Sequence, residues 1–136
     1  MSLGRGTDAP FQMYGHPAWK DKSFTFTPRS IKGVALHPLH ENKVCYGVDL
    51  QKINLDTLAH LQAINLDYLI ESYRYFAKRE KFFTNFFARL AGTTSLQQQI
   101  EQGWSAEKIR ASWQPELEEF KKKREKYLLY SVGSNF

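Results

Sequence analysis

The sequence predicts an α+β fold, in which a small β-sheet or hairpin in the N-terminal half packs with four to five helices from the C-terminal half. Three observations lead to this prediction. The composition changes near residue 52, short segments before that point have the period of a β-strand, and the chain after it carries apolar residues at helical spacing. Four of the five prolines, at positions 10, 17, 28 and 38, precede the change. Because proline is excluded from most helix interiors, its distribution separates the two halves.

Two segments of the N-terminal half are strand candidates, and a third candidate is shorter. "SFTFT" at 23–27 alternates phenylalanine with small polar residues, which is the period of a half-buried strand, and Pro28 ends it. "KVCYGVDL" at 43–50 is expected to direct alternate apolar residues to one face: Val44, Tyr46, Val48 and Leu50. "IKGVAL" at 31–36 is the third candidate. Residues 1–22 show no period and are predicted to form an ordered loop.

Helix signals fill the C-terminal half of the chain. "INLDYLIESYRYFAK" at 64–78 and "KFFTNFFARLAG" at 81–92 carry apolar residues at helical spacing. Gly92 stands where a C-terminal cap is expected. The next segment, "TSLQQQIEQG", opens with a predicted capping box between Thr94 and Gln97. These signals predict three helices.

Two more helices are predicted at the C-terminal end. Ser105 is the expected N-cap of "AEKIRASW". Pro115 fits the first turn of a new helix, since in a helix interior it would remove a hydrogen bond. The helix that it begins, "PELEEFKKKREKYLLY", has one largely apolar side: Leu117, Phe120, Arg124 and Leu128.

The length and composition indicate a globular protein. With 136 residues the chain suffices for one domain with a core and is too short for two ordinary ones, so 1–136 is predicted to be a single domain. The aromatic fraction of 15% exceeds what a small core needs, and some rings are expected to face a groove or a partner. The net charge of +5 favours acidic partners without naming one. No apolar run reaches the ~20 residues of a membrane span.

The cysteine, histidines and carboxylates do not indicate a catalytic or metal centre. Cys45 is the single cysteine, which excludes an internal disulfide, and its strand pattern indicates a buried thiol. His37 and His40 are three residues apart near Cys45, but Pro38 breaks the helix that would align them, and no carboxylate completes a ligand set. No spacing selects an acid–base pair from the carboxylates, which include Asp8, Asp21, Asp49 and Glu71. No metal, cofactor or catalytic residue is therefore expected in this chain.

"KKKREK" at 121–126 is the most basic stretch of the sequence. Its lysines at 122 and 123 each follow a glutamate by four residues, which predicts ordinary ion pairs on a solvated helix face. The other basic residues are scattered rather than arranged along a groove between aromatic rings. No nucleic-acid partner is therefore expected, and a nucleic-acid-binding module is the third hypothesis for function.

The opening stretch, "GRGTDAPFQMYGHP", has the residue types of a loop that holds a ligand. Gly4 and Gly6 allow positive φ and a close ligand approach, and Arg5 between them can bind a carboxylate or phosphate through two parallel hydrogen bonds. Thr7 and Asp8 can bond the backbone or a sugar hydroxyl. On residue types alone, a structural turn in which Arg5 and Asp8 satisfy each other is the other open interpretation.

Several phrases occur together in the order typical of one bacterial family, the NamZ-like exo-β-N-acetylmuramidases, long known as a domain of unknown function. The chain resembles their C-terminal part in the opening stretch and in "FTFTP", "CYGVDL", "FFARLAGT" and "LQQQIEQGWSAEKIRASWQPELEEFKKKREKYLLY". The resemblance runs from Gly4 to Tyr130. Its most specific pieces are the Gly-Arg-Gly-Thr opening, the Cys-x-Gly-Val-Asp strand and the terminal Arg-x-Lys-Tyr-Leu-Leu-Tyr. Segments 52–64 and 131–136 match no phrase of the family.

The resemblance implies an auxiliary domain that follows a larger N-terminal Rossmann-like α/β domain. Enzymes of the family remove N-acetylmuramic acid from the non-reducing end of peptidoglycan fragments, in a cleft between the two domains and with the catalytic glutamate on the N-terminal side. This chain by itself is therefore expected to lack the catalytic acid, and residues 1–3 are expected to be a leader or a cut ahead of the motif. The implied location is the cell envelope, periplasmic or secreted. The implied partners are the N-terminal domain and muropeptides.

The resemblance also makes the opening loop the predicted substrate-binding part of this chain. N-Acetylmuramic acid carries a lactyl carboxylate, and Arg5 is the residue type to bind one. Thr7 and Asp8 are expected beside it, on a loop shaped by Gly4 and Gly6. Aromatic contacts to the sugar ring are expected from three further residues: Phe11, Tyr14 and Trp19. The alternative hypothesis is a non-catalytic carbohydrate- or protein-binding module.

Overall fold

The N-terminal half forms a three-stranded antiparallel sheet in the computed structural model, which describes residues 1–54, 56, 63–77 and 81–130. The strands are β1 (Met13–His16), β2 (Phe24–Phe26) and β3 (Cys45–Asp49). β3 lies in the centre, with antiparallel pairing to β1 on one side and to β2 on the other. Together with the helices of the C-terminal half, this sheet confirms the predicted α+β class.

Gly47 is the crowded centre of the sheet. It pairs with Gly15 of β1 and, on its other side, with Phe24 of β2. A Cβ atom on Gly47 would overlap the carbonyl oxygen of Tyr14, and one on Gly15 would lie 2.5 Å from the carbonyl oxygen of Tyr46. Glycine is therefore required at both positions for the strands to reach hydrogen-bonding distance.

β1 lies within the segment that was expected to be loop, so that part of the prediction is wrong. Met13, Tyr14 and Gly15 are all buried, which removes the alternation that marks a half-buried strand in a sequence. The strand is specified by pairing with β3, which lies about 30 residues further along the chain. Ser2 adds to its outer edge, where its N–H and C=O groups both bond Gly15.

The two other strand candidates have different outcomes. Phe24–Phe26 confirms the first candidate. The segment 31–36 is not a strand but a tight turn, in which Ile31 and Ala35 form an isolated bridge around Gly33 at φ +81°. The N–H groups of both bridge residues donate within this turn, so the segment adds no strand to the sheet.

The two faces of β3 are buried to different depths. Cys45 and Gly47 are buried, whereas Tyr46 and Val48 on the other face are half-buried and Val44 is 49% exposed. The burial of Cys45 is as predicted, but the face with the larger apolar side chains is the less buried one. Strand packing instead places the small residues where the neighbouring backbones are closest.

The described residues of the C-terminal half contain four helices. They are α1 (Asp67–Phe76), α2 (Phe87–Ala91), α3 (Ser95–Glu101) and α4 (Ala106–Glu125). Six buried apolar residues of this half, within and between the helices, form one hydrophobic cluster: Leu66, Ile70, Phe83, Ile100, Ala106 and Ile109. The ring of Tyr73 stacks on that of Phe83, with centroids 5.3 Å apart and planes 22° apart. Much of the aromatic surplus is thus used in this core.

The helix boundaries follow some of the predicted signals and not others. Gly92 caps α2 in the left-handed region, and the Ser105 hydroxyl caps α4 by accepting a hydrogen bond from the N–H of Lys108, as predicted. The capping box is wrong: the Thr94 side chain makes no cap bond, and the hydroxyl of Thr93 accepts from Ser95 instead. α2 is also shorter than predicted. The Thr-Asn pair that precedes it has low helix propensity.

Pro115 lies inside α4 and does not begin a new helix, so this prediction is also wrong. Its ring removes the N–H that would bond the carbonyl of Ala111, four residues earlier. Ala111 is exposed, so water can satisfy that carbonyl, and the helix continues. Pro115 marks the point at which α4 becomes exposed, because every described residue from 114 onward is exposed.

The chain divides into two compact units, Met1–Ile64 with the sheet and Asn65–Phe136 with the helices. Two expectations stay predictions: that residues 1–136 form a single domain, and that residues 1–3 are a leader or a cut ahead of the motif. Residue 78 of the first helix signal and His60 lie outside the described residues. Within the described part of the chain, no helix has the length and hydropathy needed to cross a membrane.

Candidate functional site

The opening loop is held in place by main-chain and proline contacts. Gly4 and Gly6 have φ of +75° and +82°, as their residue type predicted. A Cβ on Gly6 would lie 2.5 Å from the carbonyl oxygen of Arg29 and 2.7 Å from the ring of Pro38, and one on Gly4 would lie 2.7 Å from the side chain of Met13. The space beside both glycines is therefore filled by the protein itself. The glycines fix the shape of the loop.

Hydrogen bonds add to this anchoring. The Thr7 hydroxyl donates to the carbonyl of Gly4 at 2.7 Å and accepts from the N–H of Ala9 at 3.3 Å. The carbonyl of Gly6 accepts from the N–H of Arg29 at 2.8 Å. The loop is thus a closed turn joined to the segment that follows β2, and the Thr7 hydroxyl serves the turn.

Arg5 and Phe11 form the exposed part of the loop. The guanidinium carbon of Arg5 lies 5.2 Å from the centroid of the Phe11 ring, a cation–π contact. Phe11 has φ +65° and is 59% exposed, which is an unusual conformation for an aromatic residue and an unusual position for its ring. The N–H of Phe11 donates to the carbonyl of Leu3 at 2.8 Å, which holds the backbone in this state.

The charges of the loop do not neutralise each other. Arg5 and Asp8 are both exposed, and the described residues provide neither side chain with an ion pair. The alternative in which these two residues satisfy each other is therefore not what the structure shows. Arg5 thus presents an exposed cation, without an ion pair from the described residues, on a turn that is closed by hydrogen bonds.

Tyr14 and Trp19 lie in the interior of the sheet unit. Trp19 is 1% exposed, Tyr14 is also buried, and their ring centroids are 5.8 Å apart. A ring this deeply buried cannot stack on a ligand at the surface. Of the three aromatic residues expected to contact a sugar, Phe11 alone is exposed.

The histidines do not assemble a metal site in the described residues. The rings of His16 and His40 meet edge to face with centroids 4.5 Å apart, while exposed His37 lies 3.7 Å from the Glu41 carboxylate. No group of three histidine, cysteine or acidic side chains comes together among the described residues. His60 lies outside them.

Cys45 is fully buried, and burial raises the pKa of its thiol. The thiolate, which is the reactive form, is therefore scarce at neutral pH. We expect Cys45 to resist iodoacetamide in the folded protein at pH 7.5 and to react fully in 6 M guanidinium, as measured by intact mass. Rapid alkylation without denaturant would show that this part of the chain opens or that the thiol is accessible.

The basic stretch of α4 is a solvated face. Glu118 pairs with Lys121 at 2.7 Å, three residues on, rather than with the predicted partner four residues on. This hydrogen bond lowers the pKa of Glu118.

A small cavity in the helical unit gave no signal in the sequence. It has a volume of about 190 Å³ and is lined by Tyr73, Ala77, Lys81, Phe82, Phe83, Gln97 and Glu101. Its aromatic lining belongs to the hydrophobic cluster described above, and Gln97 bonds Glu101 across its edge at 2.8 Å.

Comparison with known proteins shows where this chain has relatives. The family model described as "Exo-beta-N-acetylmuramidase NamZ, C-terminal" matches residues 1–130. The peptidoglycan beta-N-acetylmuramidase NamZ of Bacillus subtilis (strain 168) is 29% identical over 141 residues, which cover 96% of this chain and 34% of that protein. The crystal structure of a DUF1343 family protein from Bacteroides fragilis NCTC 9343 matches with a TM-score of 0.87 and 45% identity, over 97% of this chain and 37% of that one. The chain spans about a third of the length of these relatives.

Proposed function

The chain belongs to the family of NamZ C-terminal domains of exo-β-N-acetylmuramidases, and on that premise we propose that it forms one wall of an interdomain active-site cleft. The parent enzyme would hydrolyse the glycosidic bond of the N-acetylmuramic acid at the non-reducing end of muropeptides, acting on sugars whose lactyl carboxyl is free and not amide-linked to a stem peptide. The other wall of the cleft and the catalytic glutamate would belong to the N-terminal domain. The place of action would be the cell envelope, where peptidoglycan is found, in the periplasm or outside the cell.

The observation that carries this proposal is the unpaired Arg5 on its anchored turn. N-Acetylmuramic acid differs from N-acetylglucosamine by a lactyl ether that ends in a carboxylate. A guanidinium binds a carboxylate through two parallel hydrogen bonds, and the Phe11 ring beneath Arg5 limits the directions in which that group can point. Arg5 would thus select the muramic acid sugar over its neutral relative, with Asp8 available to a sugar hydroxyl and Phe11 to the apolar face of the ring.

A glycosidase general acid needs a raised pKa, so that it remains protonated near neutral pH. Glu107 and Glu118 of α4 are exposed and their pKa values are shifted down, so neither suits that role. The pKa of Glu107 is lowered by hydrogen bonds from its own backbone N–H and the Ser105 hydroxyl, and that of Glu118 by Lys121.

We expect Arg5→Ala in the two-domain parent enzyme to lower kcat/KM for a muramic acid glycoside by about 10- to 100-fold. This is the range for loss of a charge-assisted hydrogen bond of about 1.5–3 kcal/mol. Arg5→Lys keeps the charge and loses the two-pronged geometry, so its loss should be intermediate. Steady-state kinetics on a chromogenic glycoside measures all three enzymes.

Two controls make the result specific. Lys20→Ala removes another exposed cation of the same unit and should leave kcat/KM unchanged. A substrate whose lactyl carboxylate is converted to a neutral amide should be turned over equally by the parent enzyme and by Arg5→Ala. Equal turnover of the charged substrate by a folded Arg5→Ala enzyme would remove Arg5 from the substrate site.

The alternative, a non-catalytic carbohydrate- or protein-binding module, makes a different prediction. Such a module binds muropeptides without the N-terminal domain, so isothermal titration of this chain would detect binding that Arg5→Ala abolishes. In the cleft proposal each domain supplies part of the site, and affinity for this chain alone is low.

A further inference from the structure

The helix α4 is covered along its first half and uncovered along its second. Ala106 and Ile109 are buried in the hydrophobic cluster, and Trp113 packs against it. Every described residue from 114 to 130 is exposed. At 1.5 Å per residue, the uncovered part of α4 up to Glu125 is about 18 Å long. Half of this helix therefore receives no support from the described part of its own chain.

The apolar stripe of the covered half continues onto the uncovered half. From Ala106, Ile109 and Trp113 it runs at spacings of three or four residues to a further set on the same side: Leu117, Phe120 and Arg124. Leu117 is 42% exposed and Phe120 is 57% exposed. The opposite side carries Glu119, Lys122 and Lys123. A helix that met water on all sides would gain nothing from this division into an apolar and a charged side.

The exposed apolar residues continue past the end of the helix. Tyr127, Leu129 and Tyr130 are each exposed by more than two thirds, and hydrogen bonds from Tyr127 to Arg124 and from Leu128 to Glu125 turn the chain after α4. We refer to Leu117, Phe120, Leu128 and these three residues as the distal stripe. Clustered large apolar residues of this kind mark a surface that another protein segment covers.

We propose that the distal stripe docks on the N-terminal domain of the same polypeptide. The relatives are about three times as long as this chain, so most of each lies outside the matched region. The family match places this chain at the C-terminal end of such proteins. The proposal rests on family membership and on the exposure of α4, and it does not depend on a role for Arg5.

The size of the stripe favours a tethered partner over a second copy of the chain. The helical part of the stripe, which carries Leu117 and Phe120, is about 10 Å wide and 18 Å long and offers roughly 200 Å², whereas a stable interface between separate proteins buries about 800 Å² on each side. A covalently linked domain meets the stripe at an effective concentration near the millimolar range and needs far less area. Arg124 and Lys121, which both border the stripe, predict an apolar docking surface with an acidic rim on the N-terminal domain.

The test uses the full-length protein and two double variants. Leu117→Ser with Phe120→Ser removes two apolar members of the stripe. Glu119→Ser with Lys122→Ser makes an equal number of changes on the opposite side, leaves the net charge unaltered and keeps the pair of Glu118 with Lys121. Hydrogen exchange by mass spectrometry measures amide protection of the peptides that span 114–130.

Docking predicts that the stripe variant exchanges at least tenfold faster over 114–130, while the control variant matches the unaltered protein. Unaltered amide protection of α3, which carries the buried Ile100, confirms in each case that the core of the helical unit remains folded. Equal protection of 114–130 in the stripe variant and the unaltered protein would overturn the proposal. So would a concentration-dependent dimer in analytical ultracentrifugation that the stripe variant loses, because the occupant would then be a second copy.

Discussion

Replacing Gly47 by alanine is expected to reduce the free energy of unfolding by about 3 kcal/mol or more, a large fraction of the roughly 5–15 kcal/mol that stabilises a folded domain. The added Cβ would overlap the carbonyl oxygen of Tyr14 and lie 2.6 Å from the α-carbon of Gly15. Both are backbone atoms of the paired strand, so no side-chain rotation can relieve the overlap. The strands must separate, and the hydrogen bonds between β1 and β3 are lost with them.

Gly33→Ala is the matched control for this change. Gly33 also belongs to the sheet unit, but a Cβ there would meet no described atom within 4 Å. Its φ of +81° makes alanine unfavourable by about 1 kcal/mol, and nothing more is expected. Urea unfolding followed by circular dichroism gives both values, and the rate of Cys45 alkylation reports on the sheet unit itself. A Gly47→Ala protein as stable as Gly33→Ala would contradict the strand register.

Trp19→Ala is expected to cost about 3–5 kcal/mol of stability, the range for removal of a buried tryptophan. The ring is 1% exposed and packs beside Tyr14, while Lys22 lies over it at 4.9 Å. Its backbone closes two successive turns, since the N–H bonds His16 and the carbonyl accepts from Lys22. The effect should appear in the unfolding free energy, because the ring supports the sheet unit from inside.

The same experiment separates a core role for Trp19 from a role in binding. Phe11→Ala removes an exposed ring from the same unit and should change stability by no more than about 0.5 kcal/mol. In the two-domain enzyme, kinetics at a temperature where Trp19→Ala remains folded should show an unaltered KM. A raised KM with unaltered stability would instead assign the Trp19 ring to the substrate, and the burial described above would be wrong.

The fold could be predicted from the sequence where short-range chemistry decides the structure. The Ser105 cap, the left-handed Gly92 and the alternation of Phe24 and Phe26 each depend on a few neighbouring residues. β1 could not be predicted, because its residues are buried on both faces and their pairing partner lies far along the chain. The prediction that Pro115 begins a new helix was wrong because the Ala111 carbonyl, which loses its hydrogen bond to the proline, is exposed and can bond water.

The candidate site divides in the same way. Positive φ at Gly4 and Gly6 follows from residue type, since these conformations are costly for other residues. Residue type does not predict whether a ring is buried or exposed at Phe11, Tyr14 and Trp19, because an aromatic ring suits a core and a binding surface equally well. Only tertiary packing sends Trp19 inward and leaves Phe11 outside, under Arg5. The substrate role of Arg5 remains a prediction until the kinetics are measured.

The uninterrupted course of α4 through Pro115 fixes the phase between its two ends. An α-helix turns about 100° per residue, so one residue inserted between Trp113 and Leu117 would rotate the distal apolar side by that angle relative to the core. Seven inserted residues would nearly restore the phase and would lengthen the helix by about 10 Å. Insertions of about two turns should therefore preserve the direction of the distal apolar side. The docking surface on the N-terminal domain would have to move by the same distance along the helix axis.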